Sequence, residues 1–356
     1  MLRRVLELLQ LSARAEHVMG VNARNRMLIK RYNQRRHYAL ADDKLRTKEI
    51  LEAEGVPVPR TLDVFSSLIE AAAAPGRLRQ LREFVVKPAS GRAGKGILVL
   101  VRPAWTTPST PGPAESRQRQ QEVQDLRRLD PMGWFDTGGR FWSTAEVSRW
   151  ISDILFGNYA HGLTDRALIE ERLEPLPLLE DAPLFGLPDL RVLTLRGVPV
   201  MGMLRLPTRR SHGKANLHQG AIGVGVDLHQ GRMIRATYRG ERIESHPDSG
   251  APVVGQVVPR WADVLDVARR AAAALPLGYL GIDVALDVHR GPVILEVNVR
   301  PGLEIQNANG RGLRQTLAEL DSARASETLP PSAGTTAGPV SSRSESESLL
   351  CSETGA

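Results

Sequence analysis

Cysteine is nearly missing from this chain. The only one, Cys351, lies close to the C-terminus, so no intrachain disulfide can form. That fits a reducing compartment, and the cytoplasm is the expected location. Long hydrophobic runs are missing too. No stretch of about 20 apolar residues occurs, which argues against a spanning helix. The opening MLRRVLELLQLSARAEH begins like a signal peptide, but Glu7 interrupts its apolar stretch and no small-residue cleavage site follows. It reads as a short amphipathic helix. Aromatic residues are only 4% of the chain. No basic platform interleaved with aromatics and no zinc-finger spacing is present, so nucleic acid is disfavoured as a partner.

What is present suits a globular protein. The 356 residues are 42% hydrophobic and 24% charged, enough for one large domain or two to three smaller ones. The net charge of +7 is concentrated. Residues 1–40 contain Arg3, Arg4, Arg14, Arg24, Arg26, Lys30, Arg31, Arg35 and Arg36 against Glu7 and Glu16, and the remainder balances to zero. A basic arm of this kind either meets an anionic partner or forms the solvated face of one or two helices.

The pattern predicts a helix over 41–56 (ADDKLRTKEILEAEGV), started by Asp42 and Asp43 and stopped by Gly55. FVVK at 84–87 and ILVLV at 97–101 read as strands joined by the loop SGRAGKG. Residues 103–140, rich in Pro, Ser, Gln and Arg, read as an exposed insertion. A helix is expected over 144–156. Short strands then alternate from 167 to 206, with Arg196-Gly197 as a hairpin turn. A helix at about 261–274 precedes the strands GIDVALDV and GPVILEVNV, and from Ser326 onward the composition predicts a disordered tail. The domain plan is therefore a basic segment (1–40), a main domain (41–102 with 141–325), an inserted loop (103–140) and a tail (326–356).

Several stretches carry chemistry. SGRAGKG lacks the G-x-x-x-x-G-K-[ST] spacing and precedes a strand, so it is no P-loop. A glycine-rich hairpin can still fold over phosphates, with Gly94 and Gly96 freeing the backbone and Lys95 adding charge; the alternative is a flexible surface hairpin. Lys87, with apolar neighbours, reads as a lysine whose buried stem needs an anionic partner, or else as a snorkelling surface residue. In KANLHQGAIGVGVDL, Lys214 and Asn216 suit phosphate oxygens, and His218 is either a base or a hydrogen-bonding loop residue. Glu296 and Asn298 sit two apart on a strand and so share a face, while Asp283 lies on the strand expected to pair with it across the DVHRG turn. Two carboxylates and an amide oxygen on one sheet face are hard ligands for Mg²⁺ held with substrate phosphates; a structural ion-pair cluster is the alternative reading.

In this order the pieces resemble the ATP-grasp superfamily, most nearly the ribosomal-protein-S6-modifying and alpha-L-glutamate-ligase-like enzymes. The resemblance spans roughly 25–320. It rests on DDKLRTKEILEAEGVPVPRT, FVVKPASGRAGKGI, LIEERL, LRVLTLRGVPVMGMLR, KANLHQGA, GIDVALDV and LEVNVRPGLE. It implies an α/β (α+β) ATP-grasp fold, two α+β subdomains clamping ATP between antiparallel sheets, with a truncated basic N-terminal segment. It implies Lys44 and Lys87 at the nucleotide phosphates, and Glu170, Glu171, Arg172 and Leu173 as the adenine hinge. Asp189 would be a nucleotide contact, and Arg191 and Arg205 would face the acyl phosphate and substrate carboxylate. Lys214 and Asn216 would face phosphate, with Asp283, Glu296 and Asn298 as ligands of two Mg²⁺, Mn²⁺ being an allowed substitute.

The reaction so implied is an ATP-dependent carboxylate–amine ligation through an acylphosphate. Its partners would be ATP, an acid and an amine of the amino-acid or peptide kind, with self-association allowed. An ATP-grasp kinase, or a non-catalytic nucleotide-binding module in a cell-surface sugar or peptide pathway, is the alternative. The chain departs from the family pattern in two places. The usual N-terminal α/β domain is reduced to about 40 basic residues, and Arg300 stands where a serine or asparagine is common. Arg300 is expected either to read an acidic substrate or to bond the sheet edge.

Overall fold

In the computed structural model, residues 16–91, 94–102, 130, 132–160, 162–179 and 186–327 are described. Most of the helix predicted over residues 1–17, most of the 103–140 insertion, Arg92 and Ala93 of the glycine loop, and the tail beyond 327 lie outside them. The described residues form two antiparallel sheets. The first holds Thr61–Phe65 (β1), Glu83–Pro88 (β2), Leu98–Val101 (β3), Trp134–Asp136 (β4), Phe141–Trp142 (β5) and Ala167–Glu170 (β6), in the order β1-β6-β2-β3-β4-β5. The second holds Asp189–Leu195 (β7), Val198–Leu206 (β8), Ile222–Val226 (β9), Met233–Tyr238 (β10), Glu241–Ile243 (β11), Tyr279–Asp287 (β12) and Gly291–Asn298 (β13), in the order β11-β10-β9-β8-β7-β12-β13.

The turns explain the second sheet's registers. Arg196 and Gly197 have φ of 52° and 78°, a two-residue turn whose twist matches antiparallel strands. At the β12–β13 turn, Asp287 accepts hydrogen bonds from the backbone N–H groups of His289 and Arg290 at 3.0 and 2.9 Å. The free edge of β13 is covered, because Ile294 N–H donates to the Pro57 carbonyl at 2.8 Å. Such cover blunts an exposed strand edge.

Each sheet buries one face under a helix. Thr144–Leu155 packs beneath the first sheet, its start fixed by a capping box between Ser143 and Glu146. Trp261–Ala273 covers the second sheet through Val264, Leu265, Ala268 and Ala271 against Val192, Leu204, Val224 and Ile282. The other face of the second sheet carries Leu193, Met201, Met203 and Tyr279, met by Leu28 and Ile29 of the N-terminal segment and by Ile305 and Leu313.

Three expectations change. The helix expected over 41–56 is split, because Asp43 is extended (φ −105°, ψ 108°) and its carboxylate accepts from Leu45 and Arg46 N–H. This side chain caps Lys44–Ala53 and separates it from the turn Ala39–Asp42. The stretch read as an exposed insertion ends before residue 134. Trp134 is fully buried on β4, edge-on to Phe84 at 5.2 Å, and its indole N–H donates to the Leu81 carbonyl at 2.9 Å. The basic N-terminal segment is also more than a solvated face: Arg24 is buried and donates to the Pro301 carbonyl at 2.6 Å.

Candidate functional site

Strand alternation sends Asp189 and Arg191 of β7 to one face of the second sheet. Register adds the rest. Arg191 stands opposite Asp283, Asp283 opposite Glu296, and Asp189 opposite Arg205. Arg191 clasps Asp283 with Nε at 2.8 Å and Nη2 at 2.6 Å. Arg205 clasps Asp189 with Nε and Nη2, and also donates from Nη2 to Asp283 at 2.8 Å. Asn298 Nδ2 donates to Asp283 at 3.2 Å. Glu296 meets Lys44 Nζ at 3.4 Å. Lys44, Arg191 and Arg205 thus balance Asp189, Asp283 and Glu296.

The two buried aspartates differ electrostatically. Burial pushes Asp189 up to about 6, against the pull of Arg205. Asp283 is equally buried, but the Arg191 and Arg205 guanidinium groups together outweigh burial and hold it below the usual carboxylate range. Arg205, between two carboxylates, is raised above its ordinary value despite burial.

Near Lys44, two further lysines gather on Glu170 of the first sheet. Lys87 on β2 sits 2.6 Å from Glu170 Oε2, and Lys48 on the Lys44–Ala53 helix sits 2.8 Å from Glu170 Oε1, all three side chains being at most 7% exposed. Burial lowers Lys87, with the Glu170 charge opposing. Lys48 was missed by sequence reasoning. Its signal was the i, i+4 spacing from Lys44, which places both on the buried face with Thr47 and Leu51.

Lys44 also joins the glycine loop. Its N–H donates to the Ala89 carbonyl at 2.9 Å and its Nζ to the Gly91 carbonyl at 2.5 Å. The loop returns through Gly94 and Gly96, both at positive φ. A Cβ on Gly96 would lie 2.8 Å from the Tyr159 ring, so only glycine fits beneath that ring. Lys95 is exposed.

The hinge residues divide. Glu170 faces the lysines; Leu173 is buried beside Ala285 and Val293. Glu171 is held by the Arg60 N–H at 2.7 Å and by the Arg290 guanidinium, and Arg172 pairs with Glu83 at 3.0 Å. Glu171 and Arg172 therefore bridge neighbouring segments. Lys214 and Asn216 sit on a loop ending in the turn Leu217–Gln219, where Asn216 caps by accepting from His218 N–H. Arg300 pairs with Asp42 at 3.2 Å and lies over the Tyr38 ring at 4.8 Å, which ties the end of β13 to the N-terminal segment.

The donor chemistry fits a hard cation. Glu296 and Asn298 offer oxygens on the face that holds Asp283, and the Asn298 amide uses its nitrogen, not its oxygen, on Asp283. Among the described residues no group of three or more His, Cys, Asp or Glu could hold a metal. An ion here would complete its shell from substrate phosphates, the usual habit of Mg²⁺.

Two antiparallel sheets, linked at Lys44 between the glycine loop and Glu296, carry the lysines and the acidic strand ends of the site. The family described as sugar-transfer-associated ATP-grasp matches residues 23–119 and 131–322, and the chain belongs to it. The cyanophycin synthetase of Crocosphaera subtropica is 26% identical over 324 residues, covering 86% of this chain and 33% of that protein. The chain thus spans about a third of that relative's length. Among solved structures, the ATP-grasp ligase PsnB bound to a minimal precursor is 16% identical, covering 83% of this chain and 63% of that one, with a TM-score of 0.39. The VanG D-Ala:D-Ser ligase of Enterococcus faecalis is 14% identical, covering 80% and 62%, with a TM-score of 0.41.

Proposed function

We propose that this chain is an ATP-dependent carboxylate–amine ligase that forms an amide through an acylphosphate, of the alpha-L-glutamate-ligase kind. The observation that carries the reading is one cluster of charges: Lys44 of the Lys44–Ala53 helix meets Glu296, Arg191 and Arg205 hold Asp283 on the neighbouring strand beside Asn298, and Lys48 and Lys87 share Glu170. Membership of an ATP-grasp family supports it.

In this reading Lys44, Lys48 and Lys87 hold the ATP phosphates, with Glu170 keeping Lys48 and Lys87 aligned. Leu173 packs near the base, and Gly94, Lys95 and Gly96 fold over the triphosphate. Lys214 and Asn216 approach the phosphates from the second sheet. Glu296, Asn298 and Asp283 hold Mg²⁺, which when bound neutralises charge on the transferred phosphoryl group. Arg191 and Arg205, fixed in direction by Asp283 and Asp189, orient the acceptor carboxylate and stabilise negative charge on the acylphosphate. Closure of the glycine loop excludes water from that reactive species. An amine then attacks the acyl carbon and phosphate leaves.

The test is trapping. With Mg²⁺-ATP, a carboxylic acid and hydroxylamine in place of the amine, the chain should produce a hydroxamate, and Glu296→Ala should produce none. The second reading is a kinase or non-catalytic nucleotide-binding module in a cell-surface sugar or peptide pathway, and the family's description, sugar-transfer-associated, supports its link to sugar. A kinase would leave a stable phosphorylated acceptor, and a module would leave ATP intact.

A further inference from the structure

Beyond Arg205 the same sheet face runs on into a cavity of about 810 Å³, within the size range of small-molecule sites. Arg205 stands opposite Gly223 on β9, and Gly223 opposite Thr237 on β10; both of these line the cavity. In the next row Gly225 stands opposite Arg235. The glycines of GAIGVGV make this possible. A Cβ on Gly225 would come within 2.6 Å of the Ala308 carbonyl, so the helix Glu304–Asn309 rests directly on bare strand backbone. Gly223, without a side chain, leaves the cavity floor open.

The walls are cationic. Arg235, Arg239, Arg311 and His218 line the cavity, and Glu304 is the one carboxylate among its lining residues. Arg311 is neutralised by Glu319. Arg235 and Arg239 pair with no carboxylate among the described residues, and Arg235 Nε is buried without a hydrogen-bond partner there. A guanidinium in a cavity wall with no carboxylate partner can donate its terminal N–H groups to an anion that enters the cavity. Arg239 stands at the tip of the β10–β11 hairpin with φ of 55°, where its side chain can reach an incoming group. The backbone of β10 lies two strand spacings from that of β8, about 10 Å.

We propose that this cavity holds the acceptor, and that Arg235 and Arg239 grip an anionic group on it, carboxylate or phosphate, remote from the reacting carboxylate. The inference rests on the ligase reading, because it takes Arg205 as the place of the reacting group. It names the substrate class: an acid carrying a second anion on the order of 10 Å from the first, a span set by the two strand spacings and the one-row offset between Arg205 and Arg235.

Direct binding to the full chain tests it. The probes are L-glutamyl-L-glutamate, L-glutamyl-O-phospho-L-serine and, lacking the remote anion, L-alanyl-L-alanine, measured by calorimetry. One of the two anionic probes should bind at least tenfold more tightly than the neutral-tailed dipeptide, and which one does so decides between carboxylate and phosphate. Arg235→Met and the exposed Arg239→Glu should each weaken that probe about tenfold, while Mg²⁺-ATP still raises the melting temperature of both variants. Equal binding of all three probes, or variants that bind like the parent, would overturn the proposal. If Mg²⁺-ATP gives no thermal shift but an anionic probe binds through Arg235, the ligase reading fails and the anion site stands. An ATP shift without Arg235-dependent binding defeats the anion site alone.

Discussion

Glu170→Gln removes the one carboxylate that compensates two buried ammonium groups. Lys48 and Lys87 lie 2.8 and 2.6 Å from it, and none of the three side chains is more than 7% exposed. Breaking a buried ion pair by deleting one partner costs about 3–5 kcal/mol, because the remaining charge stays desolvated. At about 2–4 °C per kcal/mol, the melting temperature should fall on the order of 10 °C. The pH dependence carries the sharper sign. Lys87 is already lowered by burial, with Glu170 opposing; without Glu170 it drops further. The folded variant then binds fewer protons than the unfolded chain, so its stability relative to the parent rises with pH. The deficit should be largest near pH 6 and shrink toward pH 10, where Lys87, its value lowered by burial, sheds its charge. Mg²⁺-ATP, whose phosphates would replace the lost carboxylate, should rescue the variant by more degrees than it stabilises the parent. Thermal denaturation across pH, with and without nucleotide, reads all of this. A variant that melts within 2 °C of the parent at pH 6 refutes the buried triad as a charge-compensated unit.

Asp189, raised to about 6 by burial, takes up a proton as pH falls through that value and loosens its hold on Arg205. Turnover should therefore show an acid limb with an inflection near 6 that Asp189→Asn abolishes in a pH–rate profile. The sign for stability is opposite to the usual carboxylate: with its folded value above its unfolded one, Asp189 contributes a loss of stability as pH rises from about 4 to about 6. Lys44→Ala removes a buried ammonium that holds both Glu296 and the Gly91 carbonyl, so it should cost about 1.5–3 kcal/mol of stability while weakening ATP binding at least tenfold by calorimetry. Gly225→Ala places a methyl 2.6 Å from the Ala308 carbonyl and should destabilise by about 1–3 kcal/mol in chemical denaturation. Ser143→Ala removes the capping box of the Thr144–Leu155 helix and should cost about 1 kcal/mol in the same assay.

The second sheet was legible because local signals agree there. LRVLTLRGVPVMGMLRL alternates around a turn that Arg196 and Gly197 can make, and the i, i+2 spacing of Glu296 and Asn298 places them on one face without any tertiary knowledge. Their cross-strand meeting with Asp283 followed once the DVHRG turn fixed the register. What stayed hidden depends on long-range contact. Lys48 looks like an ordinary helix former until Glu170, far along the chain, arrives beside it. Trp134 follows a polar, proline-rich stretch whose composition masks the short hairpin that buries it. Arg24 reads as part of a basic arm and Arg300 as a substrate reader or a sheet-edge bond, yet Arg24 donates to the Pro301 carbonyl and Arg300 stacks on Tyr38. The cavity past Arg205 was visible only as a glycine-rich run; its meaning needs the helix that settles on those glycines. Partners distant in sequence cannot be inferred from periodicity, which reports only one element's own faces.

Amide formation driven by ATP is decided by phosphate release with paired and unpaired substrates. A panel of acidic amino acids and peptides, each with and without an amine, is incubated with Mg²⁺-ATP, and free phosphate is followed together with the mass of the product. The account predicts sustained phosphate release only when acid and amine are both present, with a product lighter than their sum by one water. Release of ADP with the phosphoryl group retained on a single acceptor, independent of any amine, would contradict it.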